Sequence, residues 1–326
     1  MFLSKQEWKC FKENSTKHIW RTAQADWIKE LFPTPFMDFL AKFKNGERFY
    51  SKLQALRFRI VKKVAMPNLE YVLTTHCTMN CKYCNTFVPY FSEKTHAKMT
   101  TFEEFKADID KLLSSVDYIY DFGFVGGEPL LCKDLAKMVK YALSKKQLKH
   151  IFIATNCTIL PSDELVEAMK NKKLAVQISD YRQVKNIKGN VKVQYDAFKK
   201  ILIDNKIIFN NYQEQREATT WVSMPELYAD NRDPKIVQAI YNKCYGRYCM
   251  MICEGLITPC TLTVYISRCM DLTPAVKDEL INIRNLDTKE LTKRMIKYYA
   301  IPFPQFCHYC HWEKIKTGLP CGEQVE

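Results

Sequence analysis

The chain has 326 residues, 47% hydrophobic and 26% charged, a globular balance that excludes an extended disordered protein or a fibrous repeat. It carries 49 Lys and Arg against 36 Asp and Glu, a formal charge of +13, together with 14 cysteines. The basic excess suits an anionic partner, while the cysteines point to metal or redox chemistry in a reducing compartment rather than to a disulfide framework.

The opening MFLSKQEWKC reaches Lys5 after too few apolar residues for a secretory signal, and polar residues interrupt every apolar run before the roughly 18 needed to span a bilayer. A soluble, cytoplasmic protein without a membrane span is expected. At this length one large domain or two smaller ones are allowed, because single cores stop growing near about 250–300 residues.

Residues 1–66 are rich in aromatics and in Lys and Arg, and Ser51–Val64 has the pattern of a basic amphipathic helix, so this part reads as a helical N-terminal extension. Pro67 and Asn68 then punctuate the entry to a strand over Leu69–Thr75. A regular alternation follows: helix Thr100–Ser115 with Thr100 or Thr101 as N-cap, strand Tyr118–Val125, helix Lys133–Lys145 and strand His150–Thr155. It continues with helix Ser162–Asn171, strand Leu174–Ser179, helix Asp196–Asp204 and strand Lys206–Asn210. Strands alternating with helices of this length are βαβ units, so an α/β fold is expected, a partial (β/α) barrel of five to six parallel strands across 67–215. Beyond about residue 212 the rhythm breaks, and Thr219–Met224, helix Pro234–Lys243 and the cysteine-rich stretch Cys244–Cys321 read as a second, smaller domain over 216–326.

Directly after the first strand stands His76-Cys77-Thr78-Met79-Asn80-Cys81-Lys82-Tyr83-Cys84, a Cys-x3-Cys-x2-Cys spacing. Loops leaving the C-terminal ends of barrel strands carry active sites, so three thiolates at this place would sit at a catalytic mouth. Cysteine thiolates are the usual ligands of a four-iron cluster, and three of them leave one iron open. The other readings are a zinc knuckle completed by His76, or three buried structural cysteines. At the end of the second strand Phe124-Val125-Gly126-Gly127-Glu128-Pro129 combines glycines that let a ligand approach the backbone with a carboxylate able to accept from an amine. Alone, such a segment is an ordinary turn.

Together, Cys77-x3-Cys81-x2-Cys84 with Tyr83, followed by Gly126-Gly127-Glu128, resemble the signature of the radical S-adenosylmethionine (radical SAM) superfamily over about residues 67–215. The resemblance implies that the cluster binds the methionyl group of S-adenosyl-L-methionine at its open iron, with Tyr83 near the adenine and Gly126, Gly127 and Glu128 holding the amine. Reduction of the cluster would then yield a 5′-deoxyadenosyl radical that abstracts a substrate hydrogen atom. Two further places follow from the resemblance. Thr155-Asn156-Cys157 stands where relatives show Thr-Asn-Gly, which brings Asn156 toward the cofactor, and Ser179 and Asp180 occupy the usual ribose contact.

A second constellation runs Cys244-x10-Gly255-x4-Cys260 and then Cys307-x2-Cys310, with the stretch Cys253–Cys260 reading as a hairpin. Four cysteines suit a fully ligated cluster, and a zinc ribbon fits the same clip. Cys307-His308-Tyr309-Cys310-His311 also has c-type haem spacing, a reading that requires export. The pattern resembles the twitch domain, the shorter relative of SPASM, and within it a butirosin-biosynthesis dehydrogenase and sugar-modifying relatives. That resemblance implies an auxiliary 4Fe-4S cluster.

These readings lead to a radical SAM oxidoreductase or epimerase acting on a carbohydrate-like substrate. The positive charge fits a phosphorylated or nucleotide-linked sugar, and a reductant such as flavodoxin or ferredoxin is the expected protein partner. Nucleic acid is not expected. Inversion would need a thiol donor, for which Cys249, Cys253, Cys269, Cys157 and Cys132 are candidates, and oxidation would need a base, for which Asp180 and Arg182 are candidates. The alternatives are a peptide-modifying radical enzyme and a non-catalytic zinc or iron-sulfur binding protein.

Overall fold

In the computed structural model, which describes residues 3–32, 35–184, 187, 189, 191–211, 221–244, 246–247 and 249–325, five parallel strands follow one another as the alternation predicts. They are β1 (Ala65–Val72), β2 (Tyr118–Val125), β3 (Leu148–Thr155), β4 (Leu174–Ile178) and β5 (Phe209–Asn211). Later come β6 (Glu226–Leu227), β7 (Met250–Cys253), β8 (Leu256–Thr258), β9 (Ile281–Asn282) and β10 (Cys310–His311). The main sheet has the order β5-β4-β3-β2-β1-β7-β8-β9, and β10 pairs with β6 in a separate ladder.

The fold is therefore α/β, built on the expected parallel sheet. Helices Phe102–Ser115, Leu135–Ser144, Asp163–Met169 and Tyr195–Asp204 cross between its strands. Thr101 caps the first of these and closes a capping box with Glu104, which satisfies amides that the helix start would otherwise leave open.

β2 is buried along its whole length, as a central parallel strand covered on both faces must be. One face of the sheet packs Leu69, Tyr71, Phe122, Phe124, Ile151 and Ile153 against the crossover helices. The inner face gathers Val72, Val125, Phe152, Met251 and Cys253. A β-carbon at Gly123 would lie 2.2 Å from the Phe152 ring, so glycine there is what lets this ring lie across the inner face.

Two sequence expectations are corrected. β1 begins at Ala65 and runs through Pro67, which was expected to mark a boundary. Proline is tolerated because β7 flanks β1 only from Leu69 onward, leaving Pro67 on a half-open edge. β5 starts at Phe209, later than Lys206, because Lys206 adopts a left-handed turn with φ of 54°.

The cysteine hairpin forms as expected, with β7 antiparallel to β8. β7 pairs in parallel with β1, Leu69 opposite Met250, so this strand from the C-terminal part is the sixth parallel strand of the main sheet among the described residues. The boundary expected at residue 215 lies outside the described residues, as do positions 219 and 220 of the expected segment Thr219–Met224.

Helices from Lys5 to Val61 close the N-terminal edge of the sheet, where Ile19, Trp20, Ile28 and Phe32 pack on Ala65, Tyr118 and Tyr120. A π-helical turn, Lys12–Lys17, turns polar residues inward: Asn14 donates to the carbonyls of Tyr299 and Ile301 at 3.1 and 2.9 Å, and Ser15 donates to Ala65 at 2.7 Å. Among the described residues no helix is long and apolar enough to cross a membrane.

Candidate active site

The ends of β1, β2 and β3 converge, and backbone pairing sets how closely. The amide of Gly127 donates to Thr74 O at 2.7 Å and that of Glu128 to His76 O at 3.0 Å, so the Gly126-Gly127-Glu128 segment lies directly against the loop that carries Cys77. A β-carbon at Gly127 would stand 1.9 Å from His76 O, and one at Gly126 would stand 2.4 Å from Thr74 O. Both glycines are required by contact with backbone, which cannot swing aside.

Glu128 is 1% exposed. Its Oε1 accepts from Thr155 Oγ1 at 2.9 Å and from Leu130 N at 3.0 Å, and its Oε2 accepts from Asn156 N at 2.8 Å. Burial raises its pKa to about 7, against which those donors work. A carboxylate offers about four lone-pair sites, so an amine can still be accepted beside these three donors.

Asn156 turns its side chain to the cysteine loop, donating to Cys77 Sγ at 3.4 Å and to Thr78 Oγ1 at 3.0 Å, while its Oδ1 accepts from Thr158. The next residue, Cys157, is buried with φ of 58°. That left-handed geometry suits glycine, which accounts for the Thr-Asn-Gly pattern from which this chain departs.

The three thiols of the motif each meet a hydrogen-bonding side chain. Asn156 faces Cys77, Gln324 Nε2 donates to Cys81 Sγ at 3.6 Å, and Thr86 Oγ1 lies 3.1 Å from Cys84 Sγ. Burial pushes the Cys77 and Cys81 thiols up, Cys81 to about 12, and the neighbouring thiols push in the same direction. A bound cation reverses this balance and holds coordinating thiols as thiolates, the state that these donors stabilise. The donor set therefore fits a cluster. Among the described residues no three His, Cys, Asp or Glu side chains gather as ligands to a single metal ion.

Tyr83 is half-buried, with the Lys82 ammonium 5.4 Å from its ring centre. Ser179 is tied to β3 through its amide, 3.0 Å from Thr155 O. Asp180 accepts from Arg182 Nε at 2.9 Å and Nη2 at 2.6 Å, and Arg182 also bridges to Asp196 at 2.7 Å. Arg182 holds the Asp180 carboxyl below the usual range, and Asp180 in turn raises Arg182. The two candidate bases thus stand as a mutually neutralised ion pair.

The second constellation is drawn together more completely than spacing alone required. Cys244, Cys260, Cys307 and Cys310 all line one cavity, with Tyr241, Phe306 and Trp312 among its apolar walls. Glu254 and Gly255 supply the two positive-φ positions of the β7–β8 turn, the hairpin expected over Cys253–Cys260. Burial raises the thiols, Cys260 to about 12, with Cys244 next in effect on it.

Arg232, which sequence reasoning passed over, clamps the clip. Its Nη2 donates to Cys307 O and Cys310 O, both at 2.8 Å, and its Nη1 pairs with Glu313 at 3.2 Å. If iron is held in this cavity, Arg232→Ala is expected to speed its loss to a chelator by roughly 10-fold, the scale on which supporting residues act in metal sites. Iron held at the first site should then be retained, and timed release to a colorimetric chelator would separate the two pools. His311 of the haem-like spacing is buried, stacked on Tyr228 with centroids 3.7 Å apart and facing Glu313 at 3.3 Å.

The candidate donor thiols are dispersed. Cys132 faces Thr100 O at 3.7 Å, and Cys253 packs with Val72, Val125 and Phe152 while Cys269 lies against that cluster. Cys249 donates to Glu70 Oε1 at 3.2 Å. Burial raises Glu70 to about 7 from an ordinary 4.5, so the native state holds a proton that the unfolded chain releases earlier. The resulting stabilisation is complete below about pH 4.5 and is lost as pH rises through about 7. Glu70→Gln is expected to flatten that loss, read as the difference in thermal midpoint between about pH 5 and pH 8.

Residues 71–201 match the radical SAM superfamily. Over 107 residues the chain is 31% identical to GTP 3′,8-cyclase of Clostridium botulinum, a stretch covering 32% of each protein, so the chain spans about a third of the length of the curated relatives it matches. Among solved structures it is similar to anSMEcpe with bound AdoMet, at a TM-score of 0.47 and 14% identity over 72% of this chain and 82% of that one. It is also similar to BtrN in complex with AdoMet and 2-DOIA, at a TM-score of 0.42 and 14% identity over 80% of this chain and 97% of that one.

Proposed function

Because residues 71–201 are a radical SAM domain, we propose that the chain is a radical SAM oxidoreductase with two 4Fe-4S clusters, acting on a carbohydrate-like substrate. Cys77, Cys81 and Cys84 would hold the cluster that binds S-adenosyl-L-methionine, and Cys244, Cys260, Cys307 and Cys310 would hold the auxiliary one in a twitch-like C-terminal part. The observation that carries this reading is the single cavity lined by those last four cysteines, which come from three separate segments.

When bound, the first group supplies a hydrogen-abstracting radical and the second an acceptor for one electron. The chain's own residues prepare the first place. Gly126 and Gly127 leave backbone accessible beside the cysteine loop, Glu128 offers remaining acceptor capacity for an amine, and Asn156, Gln324 and Thr86 steady the three sulfurs. Dehydrogenation removes a hydrogen atom, then one electron and the hydroxyl proton, leaving a carbonyl. The charge of +13 supports a substrate carrying phosphate, such as a nucleotide-linked sugar. A reductant such as flavodoxin or ferredoxin would deliver the initiating electron.

Epimerisation is the second reading. It is favoured by the placement of Cys253 and Cys269 in one apolar cluster with Phe87, which follows Cys84 in its loop. Turnover of candidate sugars in deuterated water separates the two, since a carbonyl product indicates oxidation and deuterium on carbon indicates quenching by an exchangeable thiol.

Anaerobic reconstitution should give about eight irons per chain, and the triple replacement Cys77→Ala, Cys81→Ala and Cys84→Ala about four, with no 5′-deoxyadenosine formed. Tightly bound zinc without iron, or undiminished 5′-deoxyadenosine from the triple variant, would overturn the proposal.

A further inference from the structure

Residues 319–325 cross from the C-terminal part to the cysteine loop. Leu319 exchanges both backbone hydrogen bonds with Trp221, at 3.1 and 2.9 Å. Cys321 is buried, and Gly322, at φ of 69°, sits so close to Val184 and Tyr181 that a β-carbon would stand 2.7 and 2.8 Å from them. From there the chain pairs antiparallel with the loop, Gln324 opposite Cys81. Lys82 N donates to Glu323 O at 2.6 Å, and Val325 N donates to Asn80 O at 2.8 Å.

Within this strap Gln324 has a fixed orientation. Its Oε1 accepts from Asn80 N at 2.8 Å, which forces the nitrogen to the other side, where it donates to Gly322 O at 2.6 Å and to Cys81 Sγ at 3.6 Å. Both ends of this part-buried amide are thus engaged, the oxygen on the cysteine loop and the nitrogen on the strap's own backbone and on the Cys81 sulfur. Hydrogen bonds to the sulfurs are among the levers that set a cluster's potential, because a donor stabilises the more electron-rich reduced state.

We propose that residues 319–325 are a strap over the cysteine loop and that Gln324 is a positioning residue which fixes the Cys81 sulfur and raises the reduction potential of the cluster held there. The inference rests on the reading of Cys77, Cys81 and Cys84 as cluster ligands. It assigns to the far end of the sequence a part in the first site that no motif marks.

The test is an anaerobic redox titration followed by electron paramagnetic resonance, on the signal that changes when S-adenosyl-L-methionine is added. Gln324→Glu keeps an acceptor for Asn80 N and removes the donor to sulfur, while Gln324→Leu removes both. In each variant the midpoint is expected to move to more negative potential, and iron loss to a chelator is expected to quicken by roughly 10-fold. Gln324→Lys, which restores a donor, should recover part of the shift. An unchanged midpoint in both Gln324→Glu and Gln324→Leu overturns the proposal while leaving the cluster assignment intact. A wild-type chain that shows no cofactor-responsive signal overturns the underlying reading instead.

Discussion

A Gly127→Ala variant is expected to lose most of the iron held at the first site and to cut S-adenosyl-L-methionine cleavage by at least about 100-fold. The added methyl would stand 1.9 Å from His76 O and 2.9 Å from Cys77 N, where ordinary contact needs 3.4 Å or more. The obstacle is backbone, so relief requires the cysteine loop to retreat from the end of β2 by more than an ångström. Displacements of that size at reacting centres cost about two orders of magnitude in rate.

The same movement would break Gly127 N to Thr74 O and Glu128 N to His76 O, the two bonds that register one strand end against the other. Gly189→Ala is the matched comparison, since among the described residues beyond its chain neighbours no atom lies within 4 Å of a β-carbon there, and its φ of +75° resists substitution. That variant should lose about 1–2 kcal/mol of stability and keep all its iron. Iron and 5′-deoxyadenosine measured on the two proteins side by side decide the matter, and a Gly127→Ala protein with full iron and full cleavage would show that the close approach is not needed.

The parts of this site that could be read in the sequence are those that chemistry writes locally. Cysteine spacing puts Cys77, Cys81 and Cys84 in one loop, Thr101 and Glu104 announce a helix start, and the largely apolar run of β2, interrupted by Asp121, is visible before any pairing is known. Gly126 and Gly127 were legible as freedom of backbone, though which atoms they approach was not.

What stayed hidden depends on pairing between distant segments. The edge of β1 accepts β7, whose own four residues carry no sign of whether their partner is a hairpin strand or the barrel. Gln324 looks like any polar residue near a chain's last positions until an antiparallel bridge places it on Cys81. Arg232 is one of 49 basic residues, and only the fold shows that it holds the Cys307 and Cys310 carbonyls while others face water. Asp180 and Arg182 show the reverse case, where a correct position at a strand end said nothing of their pairing with each other.

The second large effect is expected at the joint between the two cysteine-bearing regions. Asp108, on helix Phe102–Ser115, is 2% exposed, and Arg284 meets it as a fork, Nε to Oδ1 and Nη2 to Oδ2, both at 2.8 Å. Tyr71 of β1 donates to the same carboxylate at 2.7 Å. The Arg284 side chain passes over the β7–β8 turn, where a β-carbon at Gly255 would stand 2.7 Å from its Cδ, so one guanidinium ties the cysteine hairpin to a barrel helix.

Arg284→Met is expected to cost about 3 kcal/mol, the lower end of the range for leaving a buried charge without its partner, because the guanidinium itself is 35% exposed. Most of that loss comes from the abandoned carboxylate rather than from the pair's own attraction. Arg284→Met combined with Asp108→Asn should therefore recover much of the stability, since the amide oxygen still accepts from Tyr71 and no charge is left buried. Urea midpoints of the two single variants, the double variant and the wild type close the cycle. Additive losses would show that the fork carries no coupling between the hairpin and the barrel helix.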